Sequence, residues 1–410
     1  MEECKRIENI LQKSGIKEYN LVRCQEQEIQ FSDYYGIIRT NICEEDKINV
    51  WFQEGKHGGN FTISVGQTDE IIKKMIDDSR KLAIANGEER NWLQNIQKSS
   101  KTNPKDGDFD FEEIDLIKNF MWVRKLIKKI KNTTDFDFNT SFLTKYGKYT
   151  LKNRYTYITQ YKRSSEILCV ENSRFEKKAR MYNVFPGDNI ENIIVKKMTN
   201  DKKYISADNT NKIKKVIISS KAMGQILNKY VLAFYADSIF FGQSFITCYT
   251  LGKRILRRNI NIDVLPETNI FFDGEGNSLK EAPLVENGIL KNFIGNNRFS
   301  YYLNIINLGY SDLSSPEHIK HQRIKFGTDR YKADQAKELD YIICEFENLY
   351  FDCSNGKLIA TAKCQSKHSF FKVDINININ SLLDHVYQAS IQKRWNDNVY
   401  CSDMIWENIE

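Results

Sequence analysis

Apolar positions in the first eighty residues change period twice, and the changes mark out a helix, a set of strands and a second helix. Ile7, Ile10 and Leu11 share one helical face before Gly15 stops the helix. Residues 19–24 and 28–34 then read as extended, Gly36 and the polar stretch 44–46 as turns, and residues 48–52 and 60–65 as two more strands around the Gly58-Gly59 pair. In this reading the four strands form a small sheet. At Thr68 the period lengthens to about 3.6 residues. Thr68 can cap, Asp69 and Glu70 suit the first turn, and Ile71, Ile72, Met75, Ile76, Leu82 and Ala83 line one side. The helix predicted over 68–86 should lie on the sheet.

Further along, 98–110 (KSSKTNPKDGDFD) reads as a loop, 112–131 as a second amphipathic helix, and 139–170 as antiparallel strands rich in Tyr and Thr. The second half has a different texture. A short strand at 216–219 and an apolar helix over 221–236 precede many short β runs separated by Gly, Asn and Asp. The polar, turn-forming stretch between 195 and 215 separates the halves, giving an N-terminal domain over 1–205 and a C-terminal domain over 206–410. The class is α+β.

Composition narrows the function. Hydrophobic residues make up 41% of the chain, enough for sizeable cores, and no stretch of about 18 apolar residues exists to span a bilayer. Sixty Lys and Arg against 54 Asp and Glu leave a net charge of +6, a slight surplus that does not suggest nucleic acid. The densest basic run, 124–131 (RKLIKKIK), alternates cations with Leu126, Ile127 and Ile130 at helical spacing, as a solvated helix face does. Nine cysteines without a CxxC pair, behind an N-terminus with no apolar leader, point to reduced thiols in the cytoplasm.

Candidate chemistry is sparse. The five histidines form no HExxH. His318 and His321 could meet at i and i+3 but stand in a charged stretch, SSPEHIKHQRIK, that reads as a solvated loop. Neither a G-x-S-x-G elbow nor a phosphate-binding glycine loop is present. Asp273-Gly274-Glu275-Gly276 lacks the alternating acids of a calcium loop and reads as a turn between strands. Cys401 has no histidine at a motif spacing, so an independent enzyme using Cys401 with His385 or His368 has no pattern behind it.

The segment 264–302, VLPETNIFFDGEGNSLKEAPLVENGILKNFIGNNRFSYY, resembles the hallmark of the TldD/PmbA family, once called modulators of DNA gyrase. It has an Asp-x-Glu-Gly turn at 273–276 and a strand running into a Gly-x-Leu turn at 288–290. The N-terminal helix–sheet–helix order, the paired strands around 341–362 with their Asp-x-x-x-Gly turn, and the closing RWNDNVYCSDMIWENI resemble the same family. The TldD branch carries HExxxH on the helix after the first C-terminal strand. Here that helix reads MGQILNKYVLAFYA, with Leu227, Asn228 and Leu232 at the matching positions and no His from 216 to 244.

The resemblance therefore implies the PmbA (TldE-type) branch. It implies an N-terminal α/β domain, a mostly antiparallel β-barrel-like C-terminal domain, and no metal or catalytic residue in this chain. Zinc is expected in a TldD-type catalytic partner that forms a heterodimer with it around an extended peptide. Asp273, Glu275, Gly276 and Gly288 are the expected peptide-binding residues. The alternative is a homodimer that binds or matures a peptide without cleaving it.

Overall fold

The computed structural model of the chain describes residues 2–34, 37–85, 116–133, 138–171, 178–184, 190–199, 204–206, 215–328, 341–366, 369–389 and 392–407. The loop expected over 98–110, the start of the helix expected at 112, and His368 lie outside them. The chain divides into two compact units, Met1–Asp201 and Lys202–Glu410.

In the first unit, α1 (Glu2–Lys13) buries Cys4, Ile7, Ile10 and Leu11. It ends where Gly15 takes φ +84°, a left-handed conformation that costs glycine nothing. β1 (Glu18–Tyr34) and β2 (Ile37–Glu54) pair antiparallel from Glu18 opposite Gln53 to Tyr34 opposite Ile37. The strands expected over 19–24 and 28–34 are thus one, and the stretch 44–46 read as a turn lies within β2. The polar residues that suggested a break are partnered sideways. Arg23 donates to both carboxylate oxygens of Asp46 (2.9 and 2.6 Å), Gln27 to Glu44 (2.7 Å), and Lys145 pairs with Glu26 (2.7 Å). Cross-strand pairs of this kind hold a polar run extended.

β3 (His57–Ser64) adds to β2, and beyond it come α2 (Asp69–Ala85), α3 (Leu116–Thr133), β4 (Phe138–Asn153), β5 (Tyr157–Glu171), β6 (Lys178–Tyr182) and α4 (Glu191–Thr199). The sheet has six strands, ordered β3-β2-β1-β4-β5-β6, rather than the four expected, because the Tyr-rich middle segment pairs directly with β1, Phe142 opposite Phe31. The helices share one face of it. Tyr19 and Leu21 of β1 pack with α1 and α2, and Ile29 and Phe31 of the same strand pack with α3. On α2, Ile72, Ile76 and Ala83 are buried as the spacing predicts, whereas Ile71 and Leu82 are exposed, one step outside the apolar stripe. On α3, Val123, Leu126, Ile127 and Ile130 face the core while Arg124, Lys125, Lys128 and Lys129 face solvent, so the basic run is the solvated side of an amphipathic helix.

The second unit contains, in chain order, β7 (Tyr204–Ser206), β8 (Lys215–Ile218), α5 (Ser220–Tyr230), α6 (Ala236–Phe240), β9 (Ile260–Leu265), β10 (Ala282–Glu286), β11 (Ile289–Leu290), α7 (Asn297–Tyr302) and β12 (Arg323–Thr328). These are followed by β13 (Tyr341–Asp352), β14 (Lys357–Ser366), β15 (Phe370–Asn378), α8 (Ile379–Asp384), β16 (Val386–Gln388), β17 (Arg394–Asn396), β18 (Val399–Cys401) and β19 (Met404–Glu407). They build a seven-stranded sheet, β16-β19-β8-β13-β14-β15-β7, and a six-stranded one, β11-β10-β9-β12-β18-β17. Pairing is antiparallel except at β8–β13, β7–β15 and β12–β18. The mostly antiparallel architecture expected for this half is the one that forms.

The helix expected over 221–236 stops at Tyr230, continues as a 3-10 turn through Phe234, and gives way at Tyr235 to extended backbone (φ −73°, ψ 129°). Tyr235 forms a parallel bridge with Ile294, and the N–H of Ala236 donates to the Ile294 carbonyl (2.8 Å), so a tertiary pairing ends the helix. Among the described residues, no helix is long and apolar enough to cross a membrane.

Candidate functional site

Two polar loci lie in the second unit. The first is the turn after β9. Asp273 is 1% exposed and Glu275 fully buried. The Asp273 carboxylate accepts from the backbone N–H of Glu275 (3.0 Å), Asn277 (2.8 Å) and Ser311 (3.1 Å), and Glu275 accepts from Asn297 N–H (2.7 Å) and the Asn277 side-chain amide (3.1 Å). Burial pushes both carboxyls above their ordinary range, Glu275 far above it because the Asp273 charge adds to burial.

Gly276 completes this turn at φ +80°, and Gly288 sits at φ +75° after Asn287 at +49°. The second pair is a two-residue hairpin of the type that needs positive φ at both positions, joining β10 to β11. A Cβ at Gly288 would also overlap the carbonyl oxygens of Leu256 and Arg257. All four residues named for peptide binding are therefore buried, with the polar side chains turned into the protein.

The second locus is α5. Ser219 caps the helix, accepting from Ala222 N–H (3.1 Å) and donating to the Cys344 carbonyl (2.7 Å), while Asp403 accepts from Ser220 N–H (2.6 Å) and is held by Arg394 (3.0 Å). Gly224 faces Asn396 and Val399, so the turn between β17 and β18 comes close to the helix. Of the three positions matched to metal ligands, Leu227 is 1% exposed in the hydrophobic core and Leu232 packs against that core. Asn228 alone is polar, and its Oδ1 lies 3.4 Å from Nε2 of His321.

His321, read from the sequence as part of a solvated stretch, is instead held on three sides. Its Nδ1 lies 2.7 Å from Tyr235 Oη, which also accepts the His321 backbone N–H (3.1 Å), and its Nε2 lies 3.0 Å from Nδ2 of Asn398. A neutral ring with Nδ1–H donating to Tyr235 and Nε2 accepting from Asn398 fits the two shorter contacts, and leaves Asn228 Oδ1 beside Nε2 without a hydrogen bond between them. Burial, with the nearby Lys320 charge, lowers its pKa to about 4. His318, three residues away, is exposed and forms a 3.8 Å contact with Glu317, so the two imidazoles do not act together. Linear spacing could flag His321, but not Tyr235 or Asn398, which are 86 and 77 residues distant in the chain.

Zinc favours thiolate, imidazole and carboxylate ligands. Around Asn228 the α5 locus offers one imidazole, already engaged at both nitrogens, with two neutral amides and a phenol, a set that does not fit the ion, while the Asp403 carboxylate and the Cys401 thiol contact Ser220 at the start of the helix. Among the described residues, no group of three His, Cys, Asp or Glu side chains is placed to hold a metal. Cys401 is buried, its thiol donating to the Ser220 carbonyl (3.4 Å) and pushed up to about 12 by burial. His385 is engaged elsewhere, by the Ser381 carbonyl (2.7 Å) and Arg257 (3.1 Å).

Residues 210–343 match the family model described as PmbA/TldA metallopeptidase C-terminal domain. Among curated proteins, none matches the sequence. Solved structures do. A putative modulator of a DNA gyrase from Thermotoga maritima is 14% identical, with 99% of this chain and 98% of that one covered and a TM-score of 0.76. TldE from Thermococcus kodakarensis is 15% identical, with 98% of each chain covered and a TM-score of 0.74. A putative modulator of DNA gyrase from Bacteroides thetaiotaomicron is 12% identical, covering 98% and 96%, at 0.68. At such identities the likeness is one of fold, and it runs from end to end. Residues 210–343 thus match a PmbA/TldA metallopeptidase C-terminal domain, and the chain as a whole shares the fold of these modulator-of-gyrase and TldE structures.

Proposed function

We propose that this chain is the non-catalytic, TldE-like subunit of a peptidase complex whose zinc resides in a TldD-type partner, and that the complex processes or degrades unfolded peptides, leader peptides among them. The observation that carries the reading is the donor set on α5. Where a metal-binding helix would present imidazoles, this one presents Leu227 and Asn228, followed by Leu232 on the 3-10 turn, with Asn228 beside an imidazole that Tyr235 and Asn398 already engage. The family description supplies the peptidase context, and the TldE from Thermococcus kodakarensis supplies a relative of the same fold. In this reading Asp273, Glu275, Gly276 and Gly288 serve the peptide indirectly, by fixing the turns that shape its surroundings.

The test is reconstitution. The purified chain should leave an unfolded peptide intact, and mixing it with a TldD-type subunit should give cleavage that a chelator stops. Cleavage by the lone chain, or a mixture no more active than the TldD-type subunit alone, overturns the proposal.

A further inference from the structure

Asn228, Asn398 and His321 come together from three separate elements. Asn228 stands near the end of α5, one helical turn from Gly224 and on the face that the β17–β18 turn approaches. That turn has two residues, Asp397 at φ +54° and Asn398, and the Asn398 carbonyl accepts the Ile324 N–H of β12 (2.8 Å). His321, just before β12, is tied to Tyr235 through both its ring and its backbone N–H. Side chains held by regular elements and by each other form a preorganised set.

The two amides address the same ring atom. Asn398 Nδ2 lies 3.0 Å and Asn228 Oδ1 3.4 Å from His321 Nε2. An amide that turns one end to the ring turns the other end away. Asn398 is left with an acceptor, Oδ1, and Asn228 with a donor, Nδ2. Neither has a hydrogen-bond partner among the described residues, and both side chains belong to half-buried residues. Polar groups at such positions are ordinarily paired, by protein, water or ligand.

The two open ends select the chemistry of what pairs with them. A carboxylate only accepts and would set an oxygen against Asn398 Oδ1, whereas an ammonium only donates and would meet Asn228 Nδ2. A peptide amide fits both, its C=O accepting from Asn228 and its N–H donating to Asn398. Such a contact reads no sequence, as suits an unfolded chain.

We propose that Asn228 and Asn398, oriented by His321, form a subsite that holds an uncharged amide of a polypeptide by its C=O and N–H. The preference for an amide over a hydroxyl, which also donates and accepts, rests on the peptidase reading above.

The test is fluorescence anisotropy with the full chain and two fluorescein-labelled unfolded peptides, one free of Asn and Gln and one rich in Gln. Asn228→Leu should weaken binding about five-fold, the loss of one neutral hydrogen bond. It should leave the urea midpoint unchanged, because in the tautomer that fits the two shorter contacts the Asn228 side chain bonds nothing within the described residues. Asn398→Ala should weaken binding at least as much. Weakening with both peptides assigns the bound amide to the main chain, and weakening with the Gln-rich peptide alone assigns it to side chains. No binding by the native chain, equal binding by the native chain and Asn228→Leu, or a urea midpoint that falls along with the affinity overturns the subsite. A native chain that stimulates a TldD-type subunit, while Asn228→Leu binds peptide as the native chain does, sinks the subsite and leaves the peptidase reading standing.

Discussion

Holding His321 neutral inside a cage of Tyr235, Asn228 and Asn398 makes the second unit sensitive to acid. The ring's pKa falls from 6.5 to about 4 on folding, chiefly through burial. A cationic group with a depressed folded pKa binds protons more readily in the unfolded chain, so stability rises with pH across the interval between the two values. The contribution is intact above pH 6.5, declines as the pH falls, and levels off below about 4. Integration gives a loss of about 2 kcal/mol by pH 5 and about 3 kcal/mol at the acid limit. His321→Gln keeps a polar side chain and removes the titration. Urea unfolding of both proteins between pH 7.5 and 4.5, followed by tryptophan fluorescence, should show the native protein losing stability relative to the variant by about these amounts. A difference curve that is flat from pH 7 to pH 5 would refute the neutral, caged imidazole.

Three further outcomes follow from the same packing. Gly288→Ala introduces a Cβ at positive φ and against two backbone carbonyls, and should cost at least about 2 kcal/mol by thermal or denaturant unfolding. Glu275→Gln replaces a carboxyl whose neutral form is favoured by burial, so it should cost less than about 1 kcal/mol, while Glu275→Leu strands the Asn297 N–H and should cost about 1–3 kcal/mol. At pH 7.5 iodoacetamide should modify the exposed Cys43 well before the buried Cys401, a ranking that peptide mass mapping reads directly.

Local features were legible wherever the chain's own period decided the outcome. The burial of Ile7, Ile10 and Leu11, the start of α2 after Thr68, the solvated cations on α3 and the turns at Asp273 and Gly288 all follow from spacing, capping or glycine chemistry. What the linear reading missed was set by pairing at a distance. The polar stretches that suggested breaks in β1 and β2 remain extended because each finds partners on the neighbouring strand. The helix after β8 ends early because Tyr235 pairs with Ile294. The α5 locus shows the same limit. Asn228 enters the sequence reading only through the family resemblance, and the Tyr235–His321–Asn398 arrangement around it joins residues from three separate parts of the chain. Burial of Asp273 and Glu275 was likewise invisible in the sequence, because acidic residues in a glycine turn are ordinarily exposed.

We propose that α5 and its surroundings hold no catalytic metal. The most direct measurement is metal analysis of the purified chain after incubation with zinc and gel filtration, repeated on His321→Ala. The account predicts a clearly substoichiometric zinc content, unchanged by the substitution. One equivalent of zinc that survives filtration and is lost in His321→Ala would contradict it.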